Sequence, residues 1–158
     1  MSDVLKITSP SFEDGGNIPV KHTGFGENIS PAFRLENLAD NAVSIVIMLN
    51  DLDIPFISEY NHWIIWNIPA SAEIPENIRY GAEVHSPAGA VQGIAYGKNR
   101  YRGPQQPVFV RSVHRYVFNF YVLDSFLTLE STSRSTNVLK AMTGHILQKG
   151  SIMGRYKR

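Results

Sequence analysis

The sequence predicts a mainly β domain: short strands packed as a sandwich, with one helix near the C-terminus. Three observations predict it. Turn-forming clusters recur along the chain, at Asp14-Gly15-Gly16-Asn17, Pro69 to Pro75, Ser86-Pro87-Ala88-Gly89 and Arg102-Gly103-Pro104. Between them lie short runs of β-branched and aromatic residues, the composition of strands bounded by turns. A single segment near the end has helical periodicity.

Taken in order, Val43 to Leu49 is a continuous apolar run rich in Val and Ile, which reads as a strand buried on both faces. Trp63 to Ile68 reads the same way. His114 to Leu123 is long, aromatic and β-branched. Side chains alternate along a strand, so Tyr116, Phe118, Phe120 and Val122 share one face with His114, and Arg115 points to the other. In the helical segment, Ser135 or Thr136 is the expected cap. Val138, Leu139, Met142 and Ile146 recur at helical spacing, and Gly150 is the expected stop. Gly144 sits inside that pattern at a cost of about 1 kcal/mol relative to Ala. Ser151 to Arg158 reads as a last short strand or tail with basic residues.

The totals bound the function. At 158 residues, 43% hydrophobic and 18% charged, the composition is globular, and residues 1–158 read as a single domain with a substantial core. The net charge is +1 and the basic residues are scattered, so the basic stripe of a nucleic-acid binder is missing. There is no cysteine, which removes disulfides, thiolate nucleophiles and Cys-ligated metals. The N-terminus Met1-Ser-Asp-Val-Leu-Lys lacks a long apolar segment, so no secretory signal is expected. No apolar run is long enough to span a bilayer. The expected location is cytoplasmic, and no cofactor is implied.

Three places could carry chemistry. Asp51-Leu52-Asp53-Ile54-Pro55 follows the first buried run. Residues two apart face the same way, so both carboxylates can point to one side. Its plain reading is a solvated strand end or a self-capping turn. The functional one has one Asp supporting a histidine and the other holding a cation. Asn61-His62-Trp63 opens the second apolar strand, and His114-Arg115-Tyr116 opens the third. An imidazole and a phenol on one wall can both donate hydrogen bonds to an oxyanion. Taken singly, each of these is equally well a strand-end residue with its polar atoms satisfied.

Together they form an ordered set: Asp51-x-Asp53-x-Pro55, His62-Trp63, Gly97-Lys98-x-x-Tyr101-x-Gly103-Pro104, and His114-Arg115-Tyr116. With Ser11-Phe12, Asp14-Gly15, Ile18-Pro19, Asn28-Ile29-Ser30-Pro31 and Gly144-His145-Ile146-Leu147, this pattern resembles the phosphatidylethanolamine-binding protein family, especially its bacterial and archaeal Raf-kinase-inhibitor-like branch. The resemblance covers nearly the whole chain. It implies a central antiparallel sheet packed on a smaller one with a few short helices. It also implies a pocket for phosphate, phosphoethanolamine or a carboxylate, lined by Asp51, His62, His114 and Tyr116, with Tyr60 where the family usually has Trp and Pro107 at the rim. Asp53 and Arg115 fall where a supporting ion pair is expected. Partners implied are a small anion, a kinase or protease, and a second copy in a homodimer.

Two departures stand out. Leu52 replaces a common Pro. The segment Gln105 to Val113 lacks the family's Pro-Pro-x-Gly pattern, and its Val108-Phe109-Val110 would form an apolar lip at the rim. Asp51 beside the histidines is expected to raise their pKa and favour imidazolium. The leading reading is a non-enzymatic anion-binding module. The alternative is a hydrolase using the same pocket, either metal-dependent, with Asp51, His62 and His114 as a facial triad, or serine-type. No Gly-x-Ser-x-Gly elbow supports the latter.

Overall fold

The computed structural model describes residues 4–56 and 59–158. Met1 to Asp3, part of the N-terminal reading above, lie outside the described residues, as do Ile57 and Ser58. The strands are β1 (Lys6–Thr8), β2 (Phe33–Glu36), β3 (Ser44–Asp51), β4 (Tyr60–Pro69), β5 (Glu73–Ile74), β6 (Val91–Gln92), β7 (His114–Leu123) and β8 (Ile146–Tyr156). A 3₁₀ turn covers Val20–His22, and the helix α1 covers Ser135–Ala141.

Two antiparallel sheets form. The smaller has the order β1-β2-β5, and the larger β6-β4-β3-β7-β8. All 8 residues of β3 are buried, as expected for a central strand covered on both faces. Its odd-numbered side chains, Ile45, Ile47 and Leu49, join Tyr116, Phe118, Phe120 and Val122 of β7 and Phe33 and Leu35 of the small sheet in one core. That core is the sandwich interior. Phe33 sits 5.0 Å from the ring of Phe118 and 5.0 Å from that of Phe120, so β2 is keyed to β7 by aromatic edges. The even-numbered Val46 and Met48 face the other way, with Ile64 and Trp66, and are covered by Val138 and Met142. The central sheet thus has the small sheet on one face and α1 on the other.

The C-terminal segment differs from its prediction. The helix ends at Ala141 and does not reach Ile146. Gly144 has φ +84°, a left-handed conformation that terminates a helix and suits glycine. The chain then enters β8, which runs straight through Gly150, so Gly150 is a strand residue and not a stop. A Cβ there would sit 3.1 Å from both Leu5 and Ile7, so the glycine lets β8 approach the chain around β1 closely. Ser135 is the first helical residue and not the cap. The N-cap position is Arg134, whose N–H donates to Asn137 Oδ1 at 2.8 Å. The periodicity misled because Ile146 continues the apolar count while pairing with Leu123 of β7.

Candidate functional site

The site is built at one end of the central sheet, where β3 runs past its apolar run to Asp51, β4 begins before its own at Tyr60, and β7 opens at His114. Asp51, the last residue of β3, lies across from Tyr60 on β4 and from Tyr116 on β7. By alternation Asp51 shares the sandwich face with Leu49 and Ile47. His114 precedes Tyr116 by two and shares that face too. The result is a carboxylate and an imidazole in contact: His114 Nδ1 lies 2.8 Å from Asp51 Oδ2, with both residues buried. An ionised carboxylate only accepts, so Nδ1–H is the donor.

His62 arrives differently. Leu49 pairs with Trp63, but the next residue, Asn50, pairs with Asn61. His62 is therefore the extra residue of a β-bulge, the device that re-aims a side chain at the end of a ladder. Its ring lies edge-on to Tyr116 at 5.6 Å and to Tyr96 at 5.0 Å. His62 Nδ1–H donates to the Arg102 carbonyl at 3.1 Å, and Nε2 faces the Tyr96 hydroxyl at 3.5 Å. Tyr60 is partly exposed and packs 5.0 Å from Tyr96. The Arg102 guanidinium stacks on Tyr96, 3.9 Å from the ring centre.

Electrostatics correct one expectation. Burial is the dominant influence on His62 and pushes its pKa down to about 4, although Asp51 pulls it up. His62 is thus neutral at physiological pH, not imidazolium, because desolvation in a nearly closed site outweighs a single carboxylate. Burial, and then the charge of Asp51, also raises the Tyr116 hydroxyl, keeping it a hydrogen-bond donor.

The support pair is also present. Arg115 reaches Asp53 through both Nε and Nη2, at 2.9 and 2.8 Å, and its backbone N–H donates to Asp53 Oδ2 at 2.6 Å. These bonds to Arg115 hold the Asp53 carboxyl below its usual range. Asp51 and Asp53 thus do different work. The expected self-capping turn is also there, with Asp53 N–H donating to Asp51 Oδ1 at 2.8 Å.

A family model described as phosphatidylethanolamine-binding protein matches residues 8–157. The chain belongs to the phosphatidylethanolamine-binding protein family. A UPF0098 protein of Pyrococcus abyssi is 40% identical over 99% of this chain and 86% of its own. A UPF0098 protein of Methanothermobacter thermautotrophicus is 37% identical over 98% of this chain and 99% of its own. Among solved structures, a phosphatidylethanolamine-binding protein homologue of Chlamydia trachomatis superposes with TM-score 0.85 at 31% identity, covering 99% of both chains. An Escherichia coli member of the family, at 23% identity and TM-score 0.86, shares the fold.

In this phosphatidylethanolamine-binding protein family member, Asp51, His62, His114 and Tyr116 come together, with Tyr60 at their edge. Pro107 is exposed and starts a turn closed by Val110 N–H donating to the Pro107 carbonyl at 2.9 Å. That loop also exposes Val108, Phe109 and Val113. Sequence reasoning did not select Tyr96 or weight Arg102. The signal available was the turn-forming Tyr96-Gly97 step beside the Gly103-Pro104 motif. Gly103 fixes this loop: a Cβ there would collide with the His22 carbonyl, and its N–H donates to Asn28 Oδ1 at 2.9 Å. Among the described residues, no three His, Asp or Glu side chains converge as a metal-binding group. The described helices include none long and apolar enough to cross a membrane.

Proposed function

We propose that the protein is a non-enzymatic module that binds a small anion, a phosphate ester or carboxylate, at the Asp51–His114 pair. One observation carries the reading: His114 Nε2 is buried and has no hydrogen-bond partner, while Nδ1 is held by Asp51. A buried polar atom left unpaired costs about 1–3 kcal/mol, and a ligand oxygen removes that cost. Anchoring one ring nitrogen aims the other, as in second-shell support of histidine ligands.

The protonation chemistry sets the pH dependence. With Nδ1–H committed to Asp51, a neutral His114 offers only a lone pair at Nε2. It accepts from a protonated anion oxygen, or it takes a second proton and donates to an ionised one. Either way the anion enters together with one proton. Tyr116 and neutral His62 add no charge. Affinity therefore falls as pH rises. Asp51 also repels a fully ionised anion, so the expected affinity is weak, in the millimolar range of about −4 kcal/mol. The exposed Val108, Phe109 and Val113 lie beside this site in the chain, where a partner protein carrying such an anionic group would meet it. Inhibition of a kinase or protease would work through that contact.

The test is an NMR titration of the histidine rings with phosphate and phosphoethanolamine, from about pH 5.5 to about pH 8, around the reference histidine pKa of ~6.5. The expected result is a saturable His114 shift that weakens with rising pH and a loss of it in His114→Ala. A His114 ring indifferent to both anions at every pH would sink the proposal. Esterase activity that disappears with His114→Ala would favour the hydrolase reading instead.

A further inference from the structure

A cleft of about 400 Å³ is lined by Tyr96 and Arg102 together with Lys98, Arg100, Asn28 and Gln105. Its lining contains no carboxylate. Among the described residues, Lys98, Arg100 and Arg102 have no carboxylate oxygen within 4.0 Å. Glu27 opens on a neighbouring cleft, which Asn28 and Arg100 also line and where the Arg100 guanidinium lies 5.8 Å from the centre of the Tyr80 ring. Clustered cations ordinarily sit apart or share a counter-charge, because like charges at short range repel.

Contacts of Arg102, Arg100 and Asn28 hold this cluster in place. The Arg102 guanidinium stacks 3.9 Å over Tyr96, and its Nε is buried with no hydrogen-bond partner. Tyr96 itself sits at φ +51°, a left-handed conformation that costs a non-glycine residue energy and that recurs at ligand sites. Arg100 is tied by Nε–H to the Tyr101 carbonyl at 3.1 Å. Asn28 spends its Oδ1 on Gly103 N–H, which leaves its NH₂ end free among the described residues.

We infer that this cleft is a second anion site, separate from the Asp51–His114 pair, and that it takes a phosphomonoester group. A dianion matches the uncompensated charge of Lys98, Arg100 and Arg102 better than a carboxylate does. The guanidinium fork of Arg102, with a donor to spare, suits phosphate oxygens. Asn28 and Gln105 supply neutral donors at the rim. The phosphate group could belong to a free metabolite or to a lipid headgroup, and both present the same chemistry.

The experiment is an amide-resolved NMR titration of the full chain with phosphoserine, inorganic phosphate and acetate, with vesicles containing phosphatidic acid in parallel. Phosphoserine and phosphate should shift the amides of Asn28, Lys98 and Gln105, and acetate much less. Lys98→Gln/Arg100→Gln should weaken that binding roughly tenfold, the factor that ~1.4 kcal/mol represents. Lys98→Gln alone, on an exposed side chain, gives a second reading should the double variant fold poorly. His114→Ala should leave the cleft shifts in place, which separates this site from the other one. Binding of phosphoserine without vesicles assigns a free phosphomonoester, and vesicle binding assigns a headgroup. The inference fails if these amides stay still, if acetate matches phosphate, or if the variants bind as tightly as the parent.

Discussion

Single side chains at the site carry opposite energetic roles. Asp51 and His114 form a buried pair, whereas Arg115 meets Asp53 at the surface, half exposed. Removing one member of a buried pair leaves a desolvated group alone, at about 3–5 kcal/mol. Asp51→Ala should therefore lower the urea midpoint strongly, and Arg115→Ala far less, since exposed ion pairs contribute little. Equal losses would contradict this ranking. His62 adds a pH effect. Its pKa is about 4 folded against 6.5 in the unfolded chain, so the unfolded state binds more protons between those values. The His62 contribution to stability is complete above about pH 6.5 and is lost as pH falls toward 4. At about 1.4 kcal/mol per pH unit the loss is about 3 kcal/mol. His22, fully buried, has its pKa lowered by desolvation and acts in the same direction. Denaturation curves at pH 7 and pH 4.5 should diverge less in His62→Gln than in the parent. The residues of this candidate site were legible through the family resemblance, since Asp51, His62 and His114 taken singly read equally well as strand-end residues. Their charge states were not legible, because burial sets them and burial follows from the fold.

At the scale of elements, β3 and β4 follow from continuous apolar runs and β7 from its aromatic and β-branched alternation, and each forms. The strands extend past those runs, β3 to Asp51 and β4 back to Tyr60, because ladder hydrogen bonds are indifferent to side-chain polarity. The helix was found but its end was not. Periodicity counts apolar residues and cannot see that Gly144 adopts a left-handed backbone. Gly144→Ala should cost about 1 kcal/mol through φ strain alone, measured by chemical denaturation. A neutral or stabilising result would mean that the turn between α1 and β8 readily adopts another conformation. The bulge at His62 was invisible for a related reason: period-two alternation assumes an unbroken ladder.

Across the whole molecule, stability should be graded. The ladder β4-β3-β7-β8 holds both cores, while the small sheet contributes strands of 3, 4 and 2 residues. Native-state hydrogen exchange should find the slowest amides in β3 and its neighbours and the fastest in β5 and the 107–113 loop. Comparable protection of β5 and β3 would contradict that gradient. The sandwich class could be read from turns and strand composition, and the two-sheet division from the family resemblance. The cationic cleft could not be read, because Lys98, Arg100 and Arg102 are spaced through a loop, and only the path between Tyr96 and Gly103 brings them around one opening.

The extra residue in β4 has a consequence for how this domain can change by descent. Pairs on either side of His62, Leu49 with Trp63 and Asn50 with Asn61, already obey the register that a shorter strand would have. Loss of one codon at position 62 would remove this bulge and leave the same partners for every remaining pair, with the other irregularity of the ladder, between Ile65 and Ile68, untouched. The imidazole that packs on Tyr96 and Tyr116 would be gone in one mutational event, with the Asp51–His114 pair and the scaffold left in place. A lineage can thus reshape one wall of this site while keeping the architecture, and His62 marks where that fork lies.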